Sequence, residues 1–289
     1  MSHTQTETAE QLTALADAIQ SADAILVGAG AGLSAAAGAS YNGENFEKNF
    51  GDFIEKYHFP NMYIGGFGPF ESPEEFWAWW SRQIYLERYA WPPDDTHRAL
   101  LDILQGRNYF VITTNVDHRF QINGFSKTRL FYTQGDYGLF QCSVPCHDKT
   151  YDNEDIVRQM YERQKDMRAP AELLPVCPRC GSPMTTNLRV DNRFVQDEGW
   201  YAARDRYVRF LEQYADSRIV FLELGVGSNT PGVIKYPFWQ MTEENPKAVF
   251  ASINRGEAAA PRSIWDRSIL INDDITVALS ILRMDLAGT

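Results

Sequence analysis

Apolar residues along the chain fall into runs of two periods. Residues 9–22 carry Leu12, Leu15, Ala16 and Ile19 at near-helical spacing and lead directly into a short continuous run, residues 24–27. Comparable continuous runs recur at 109–114, 131–133, 219–224 and 248–253, rich in β-branched and aromatic residues. Each of these four ends in glycine, amide or acidic residues: Asn115 to Asp117, Gln134 to Asp136, Gly225 to Ser228, and Asn254. Strands buried on both faces read as unbroken apolar runs, so the pattern predicts a parallel sheet with helices on both faces and a polar crest at the strand ends. Ser72, Pro73, Glu74 and Glu75 spell a helix start through an N-cap, a first-turn proline and acidic residues, and residues 96–104 spell a further helix closed by Gln105 and Gly106.

Between the first two runs lies a block crowded with aromatics, Phe46, Phe50, Phe53, Trp77, Trp79 and Trp80 among them, broken at Gly65 to Pro69. It reads as a core-filling helical insertion with a loop; a cover over a ligand and an acceptor channel is the sharper reading.

The first run passes into Gly28, Gly30 and Gly32, followed by small residues through Ser34 to Gly38. Glycines at a strand-to-helix turn let the backbone approach a diphosphate, whose charge the helix start favours, so a dinucleotide is the expected guest. No second apolar strand ending in an acidic residue follows about 20 positions on, as a ribose-binding dehydrogenase unit requires, so hydride chemistry is not expected. Ser34 would equally serve as a small helix-packing residue, and Asn254 as a turn former.

At 289 residues and 44% hydrophobic content the chain can build a sizeable core, and a net charge of -11 argues against a nucleic-acid groove. The polar opening residues do not read as a secretory signal, and no apolar run approaches the roughly 20 residues of a membrane span, so the expectation is a cytoplasmic protein with neither a membrane nor a nucleic-acid partner. All four cysteines stand in two close pairs, Cys142 with Cys146 and Cys177 with Cys180, the second carrying Pro178 and Gly181 for a knuckle turn. Four thiolates close a tetrahedron around zinc and leave no open position, which predicts a structural metal in a small inserted lobe.

Taken together, Gly28, Ala29, Gly30, Ser34 and Gly38, Thr114 to Asp117, the glycines after Leu224, Ile253 with Asn254, and two cysteine pairs inserted midway resemble the sirtuins in order along nearly the whole chain. The chain departs from them at Ala39 to Gly43, where sirtuins usually carry Ile-Pro-Asp-Phe-Arg, and at Gln134 with Gly135, where they carry His-Gly. Glutamine has no titratable nitrogen near neutral pH, so it orients a hydroxyl but takes no proton. With the aromatic insertion and Asn187 to Asp191, these departures resemble the class M, or macrodomain-linked, sirtuins.

That resemblance implies a Rossmann-like NAD-binding part, residues 1–136 and 190–289, carrying the aromatic insertion 41–92, and a zinc-binding lobe, residues 137–189. It implies NAD-dependent mono-ADP-ribosyl transfer to a protein acceptor, in bacterial members a lipoyl-carrier protein; the alternatives are a lysine deacylase and a non-enzymatic NAD-binding module. Asn115, Asp117, Gln134 and Arg189 are then the expected catalytic residues: Asn115 for nicotinamide or an ordered water, Asp117 for the nicotinamide ribose or carboxamide, Gln134 for the ribose and Arg189 for the acceptor or a nearby carboxylate. Gly28, Ala29, Gly30, Ser34, Gly38, Asn115, Asp117, Gln134, Gly225, Val226, Gly227, Ser228 and Asn254 form the expected cofactor set. Asn115 and Asp117 would equally cap the next helix, and Arg189 would equally be a solvated charge. His118 beside Asp117 is expected to be structural or exposed, its ring turned from the site.

Overall fold

The computed structural model describes residues 3–227 and 231–288. Among the described residues nine strands occur: β1 (Ala24–Ala29), β2 (Tyr109–Thr113), β3 (Leu130–Tyr132), β4 (Gly135–Cys142), β5 (Tyr151–Asp152), β6 (Met184–Leu188), β7 (Ile219–Leu224), β8 (Val249–Ile253) and β9 (Ser268–Ile271). Six of them form one sheet in the order β3-β2-β1-β7-β8-β9, with every pairing parallel. The strands β1, β2 and β7 are buried at every position, the reason their sequences are continuous apolar runs rather than alternating ones.

Helices cover both faces. The helices His3–Ser21, Asp95–Leu104 and Ile275–Ala287 pack one face through Leu15, Ile19, Leu100 and Leu279. The opposite face is packed by Glu198–Gln213 and Lys235–Glu244, with Ala203 and Phe238 buried against Phe221 and Phe250. One carboxylate interrupts the apolar interior: Glu223 in β7 accepts from Lys235 Nζ at 2.7 Å and from the Ser252 hydroxyl at 2.9 Å. The edge strand β9 is not among the runs recognised in the sequence. It is four residues long, half-buried, and bounded by Arg267 and Asn272, so it carries little periodic signal.

The second sheet is small and antiparallel, in the order β5-β4-β6. The aromatic insertion shares one apolar core with it, since Phe140, Cys142 and Met160 pack among Phe50, Phe53 and Trp79. Trp79 is the centre of this core, with the rings of Phe50, Phe53 and Phe59 at centroid distances of 4.5, 5.2 and 5.2 Å. Its indole N–H donates to Gln83 Oε1 at 2.9 Å, and Gln83 donates onward to the Tyr137 hydroxyl at 3.1 Å. The core-filling reading therefore holds for most of the block. The helix Pro73–Ile84 starts as the sequence foretells, with Ser72 accepting from the Glu75 N–H and Pro73 in the first turn. It then widens into a π-helical turn, Tyr85–Tyr89, a distortion that proteins often keep at functional sites. No described helix is long and apolar enough to cross a membrane.

Candidate active site

At the carboxyl ends of β1, β2 and β7 the loops meet backbone to backbone. Gly30 N–H donates to Leu224 O at 3.0 Å and Gly32 N–H to Gly225 O at 2.9 Å. A Cβ on Gly30 would stand 2.6 Å from the Gly225 carbonyl oxygen, and Gly225 itself has φ +59° with the Leu33 nitrogen 2.4 Å from where its Cβ would lie. The glycines let two loops interlock, and a cavity of 240 Å³ opens beside them, lined by Gly30 to Gly32, Thr114, Gly225 to Gly227, Asn254 and Glu257. Asn254 is held by its amide, which donates to Val226 O at 3.2 Å. Ser228 lies outside the described residues.

Gly28 and Ala29 do not belong to this turn. The opening strand runs two residues further than its apolar run indicates, and a Cβ on Gly28 would stand 2.3 Å from Ile234 Cγ2 and 2.7 Å from the Phe238 ring, so its smallness serves strand–helix packing. Gly38 ends the short helix with φ +111°, its Cβ position facing the Trp91 ring at 3.8 Å.

Beside the cavity a hydrogen-bonded chain joins four of the sequence candidates. Asn115 Nδ2 donates to Gly30 O and to Ser34 Oγ, both at 3.0 Å, and the buried Ser34 hydroxyl donates to Asp117 Oδ2. The Arg119 N–H donates to Asp117 Oδ1 at 3.2 Å. Gln134 and Arg189 are joined by backbone, the Arg189 N–H donating to Gln134 O at 3.0 Å. This contact requires Gly135, whose φ is +97° and whose Cβ would lie 1.9 Å from Asn187 O. The Arg189 guanidinium is exposed and lies 5.8 Å from the Phe194 ring centroid.

His118 has a specific partner that the sequence did not reveal. With φ +63°, its Nδ1 makes a short hydrogen bond to Asp136 Oδ2. The other Asp136 oxygen accepts from Arg88 Nε at 2.9 Å and from the Gly138 N–H at 2.7 Å. Burial pushes the Asp136 carboxyl up, but the His118 hydrogen bond and charge, Arg88 and the Gly138 N–H outweigh it and hold the group below its ordinary value.

Glu87, on the same π-helical turn as Arg88, is 5% exposed, and its Oε2 has no hydrogen-bond partner among the described residues. Burial, reinforced by the Asp117 charge and opposed by Arg119, pushes it up to about 7. The folded protein thus holds this proton more tightly than the unfolded chain, so its stabilising contribution is complete below the ordinary value of 4.5 and is lost as pH rises toward 7. Glu87→Gln is expected to gain stability relative to the parent by up to about 3 kcal/mol between about pH 5 and about pH 8. Denaturant midpoints at the two pH values measure this, and a difference independent of pH contradicts it.

The four cysteines converge as their spacing predicts. Their sulfurs all lie within 4.8 Å of one another, and the Cys142–Cys180 and Cys146–Cys177 pairs are 3.6 Å apart. Corners of a tetrahedron with Zn–S of about 2.3 Å are separated by about 3.8 Å, so the thiols are positioned to bind zinc. The knuckle closes through the Cys177 N–H to Ser182 O at 2.7 Å and the Gly181 N–H to Cys177 O at 2.9 Å, with Gly181 at φ +73°. His147 bridges the Cys146 sulfur and the Tyr151 hydroxyl at 3.0 and 2.8 Å, bracing one ligand from outside.

No family model matches the chain. It is 41% identical to a protein ADP-ribosyltransferase of Staphylococcus aureus over 287 residues, 99% of this chain and 91% of that one. To a probable bifunctional ADP-ribose hydrolase/ADP-ribosyltransferase of Fusarium oxysporum f. sp. cubense it is 34% identical over 234 residues, 76% of this chain and 38% of that one. Its fold is that of a Sir2 homologue in complex with NAD, with a TM-score of 0.63 at 16% identity over 96% of this chain and 94% of the other. A Sir2 bound to an acetylated peptide superposes with a TM-score of 0.60 at 18% identity, covering 96% and 98%. With this identity along nearly its whole length, the chain belongs to the family of that protein ADP-ribosyltransferase, built on the Sir2 fold.

Proposed function

We infer that the protein transfers ADP-ribose from NAD to a protein acceptor, and that the crest of the parallel sheet is where it does so. The observation that carries the site is the hydrogen-bonded chain from Gly30, at the glycine cavity, through Asn115 and Ser34 to Asp117. The cavity beside the interlocked glycines accepts the diphosphate side of a dinucleotide, with Gly227 and Asn254 at its wall and Glu257 facing a ribose diol. Thr114 and Glu257 join the set proposed from sequence, whereas Gly28 is better read as packing.

Bound NAD supplies the ADP-ribosyl group and nicotinamide as the leaving group. Asn115, its amide fixed by two contacts, orients the nicotinamide or a water, and Asp117 presents its charge to the developing positive ribose. Gln134 hydrogen-bonds a ribose hydroxyl without taking its proton. Arg189, exposed beside Gln134, meets the acceptor.

Residues 1–136 and 190–289 are proposed as the NAD-binding part and 137–189 as the zinc lobe. The acceptor is proposed to be a lipoyl-carrier protein, on the class M resemblance.

Intact-protein mass spectrometry of a lipoylated carrier protein and of an acetyl-lysine peptide, each with NAD, tests the reading. An ADP-ribose adduct on the carrier is expected; loss of acetyl without an adduct would return the protein to deacylation. Gln134→Ala is expected to lower the transfer rate by about ten- to a hundredfold through misplacement of the ribose, with a smaller loss of NAD affinity from the missing hydrogen bond. Single-turnover transfer beside calorimetric NAD binding separates the two effects.

A further inference from the structure

Transfer to a protein nucleophile releases a proton, and none of the amides placed at the site can receive it. Asn115 and Gln134 do not titrate, Arg189 stays charged, and Asp117 is already engaged by the Ser34 hydroxyl and the Arg119 N–H. His118 directly follows Asp117, and Asp136 lies two residues beyond Gln134. The Tyr137 N–H donates to Val116 O at 2.8 Å, holding these two segments side by side.

The arrangement around His118 is built rather than incidental. Asp136 is 4% exposed, both of its oxygens are used, and one of them holds His118 Nδ1. Glycine at 138 leaves room for the pair: a Cβ there would stand 2.8 Å from Arg88 Nη2 and 3.0 Å from Asp136 Oδ1. A carboxylate at Nδ1 keeps the proton on that nitrogen and leaves the lone pair on Nε2, in an imidazole whose side chain is 25% exposed. A surface histidine would need neither this buried carboxylate nor the left-handed backbone it occupies.

We propose that His118, oriented by Asp136 and Arg88, is the general base of the transfer, a role that rests on the transferase reading above. As the acceptor heteroatom bonds to C1′ of the ribose, the C1′–N bond breaks and its electron pair leaves with nicotinamide. The acceptor's proton passes to His118 Nε2, the Asp136 charge stabilises the imidazolium, and the proton then goes to solvent. Among the described residues, the charged and titratable groups around the imidazole are Asp136 and Arg88, with Asp117 next in sequence; Asp117 accepts the Arg119 N–H, and Asp117 and Arg119 in turn act on Glu87.

The test uses His118→Asn, since asparagine tolerates the left-handed backbone, and Asp136→Asn, with NAD and a lipoylated carrier protein as the acceptor probe. Expected is a loss of transfer rate of at least about a hundredfold for His118→Asn, loss of the acid limb of its pH–rate profile, and partial recovery of His118→Ala by added imidazole. Asp136→Asn is expected to fall by about tenfold or more, and NAD affinity should stay within about threefold in every variant. His118→Asn transferring within about threefold of the parent, or losing transfer only in proportion to NAD binding, would overturn the proposal. A parent protein that makes no adduct overturns the transferase reading itself and the base with it.

Discussion

Asp94→Ala is expected to destabilise the protein by about 3–5 kcal/mol and to lower transfer with it. Asp94 is a hub: Oδ1 accepts the His97 N–H at 2.8 Å and His97 Nδ1 at 2.9 Å, while Oδ2 accepts Arg119 Nη2 at 2.6 Å and Asn123 Nδ2 at 3.0 Å. It is the N-cap of the helix Asp95–Leu104 and the counter-charge of a fully buried guanidinium. Arg119 also donates to Trp91 O and Pro92 O and stacks over Trp91 at 4.0 Å, so the end of the aromatic insertion is tied to the loop after β2. Alanine removes the cap and leaves Arg119 a buried charge without its carboxylate, the costly half of a broken buried pair. Because the Arg119 N–H holds Asp117, the loss reaches the site.

The pH dependence has a defined sign. Burial would raise the Asp94 carboxyl, but the hydrogen bonds and charge of His97 and the contact with Arg119 hold it well below the usual carboxylate range. Its contribution is therefore complete above the ordinary value of 3.8 and is lost as pH falls toward the folded value. Urea unfolding at about pH 7 and about pH 3 should show the difference between parent and variant shrinking on acidification. A variant within about 1 kcal/mol of the parent at neutral pH would contradict the hub.

What the sequence made legible follows from how local each signal is. Strands buried on both faces announce themselves as apolar runs, which is why β1, β2, β7 and β8 were recognisable, whereas half-buried β9 was not. Four cysteines in two close pairs admit few arrangements, and their convergence was readable from spacing alone. The packing of Gly28 was not legible because a glycine at a strand end looks the same whether it faces a phosphate or a phenylalanine; its neighbour Phe238 lies on another helix. Glu87 and Arg88 sit in a stretch whose pattern says only helix, and the π-helical turn that aims them has no periodic signature. The Arg88–Asp136 and Ser34–Asp117 contacts join positions 48 and 83 residues apart, a pairing that one sequence does not reveal. His118 reads in sequence as structural or exposed, and the partner that fixes its ring, Asp136, lies 18 residues on, beyond what local sequence shows.

Removal of zinc is expected to have the largest effect, although four thiolates leave the metal no position for chemistry. Structural zinc contributes apparent binding energies of about 10–16 kcal/mol in small folded units, and that energy is folding energy. Here Cys142 and Cys177 are buried in the core that Trp77, Trp79 and Phe140 fill, with the Trp77 and Phe140 rings 4.8 Å apart. Without the metal, the four sulfurs lose the ion that ties them within 4.8 Å of one another, which loosens β4 at Cys142. The same strand begins at Gly135 and Asp136, so the disturbance runs from the metal to His118 along one element. The parallel sheet and its helices have their own apolar clusters and should survive. Chelation, or Cys177→Ser, is therefore expected to abolish near-ultraviolet tryptophan dichroism and transfer together while leaving most helical signal. Added zinc should restore both in the chelated parent but not in the variant. Unchanged melting and unchanged transfer in protein shown by elemental analysis to hold no zinc would mean that apolar packing alone holds the lobe, and the coupling from metal to site would fall with it.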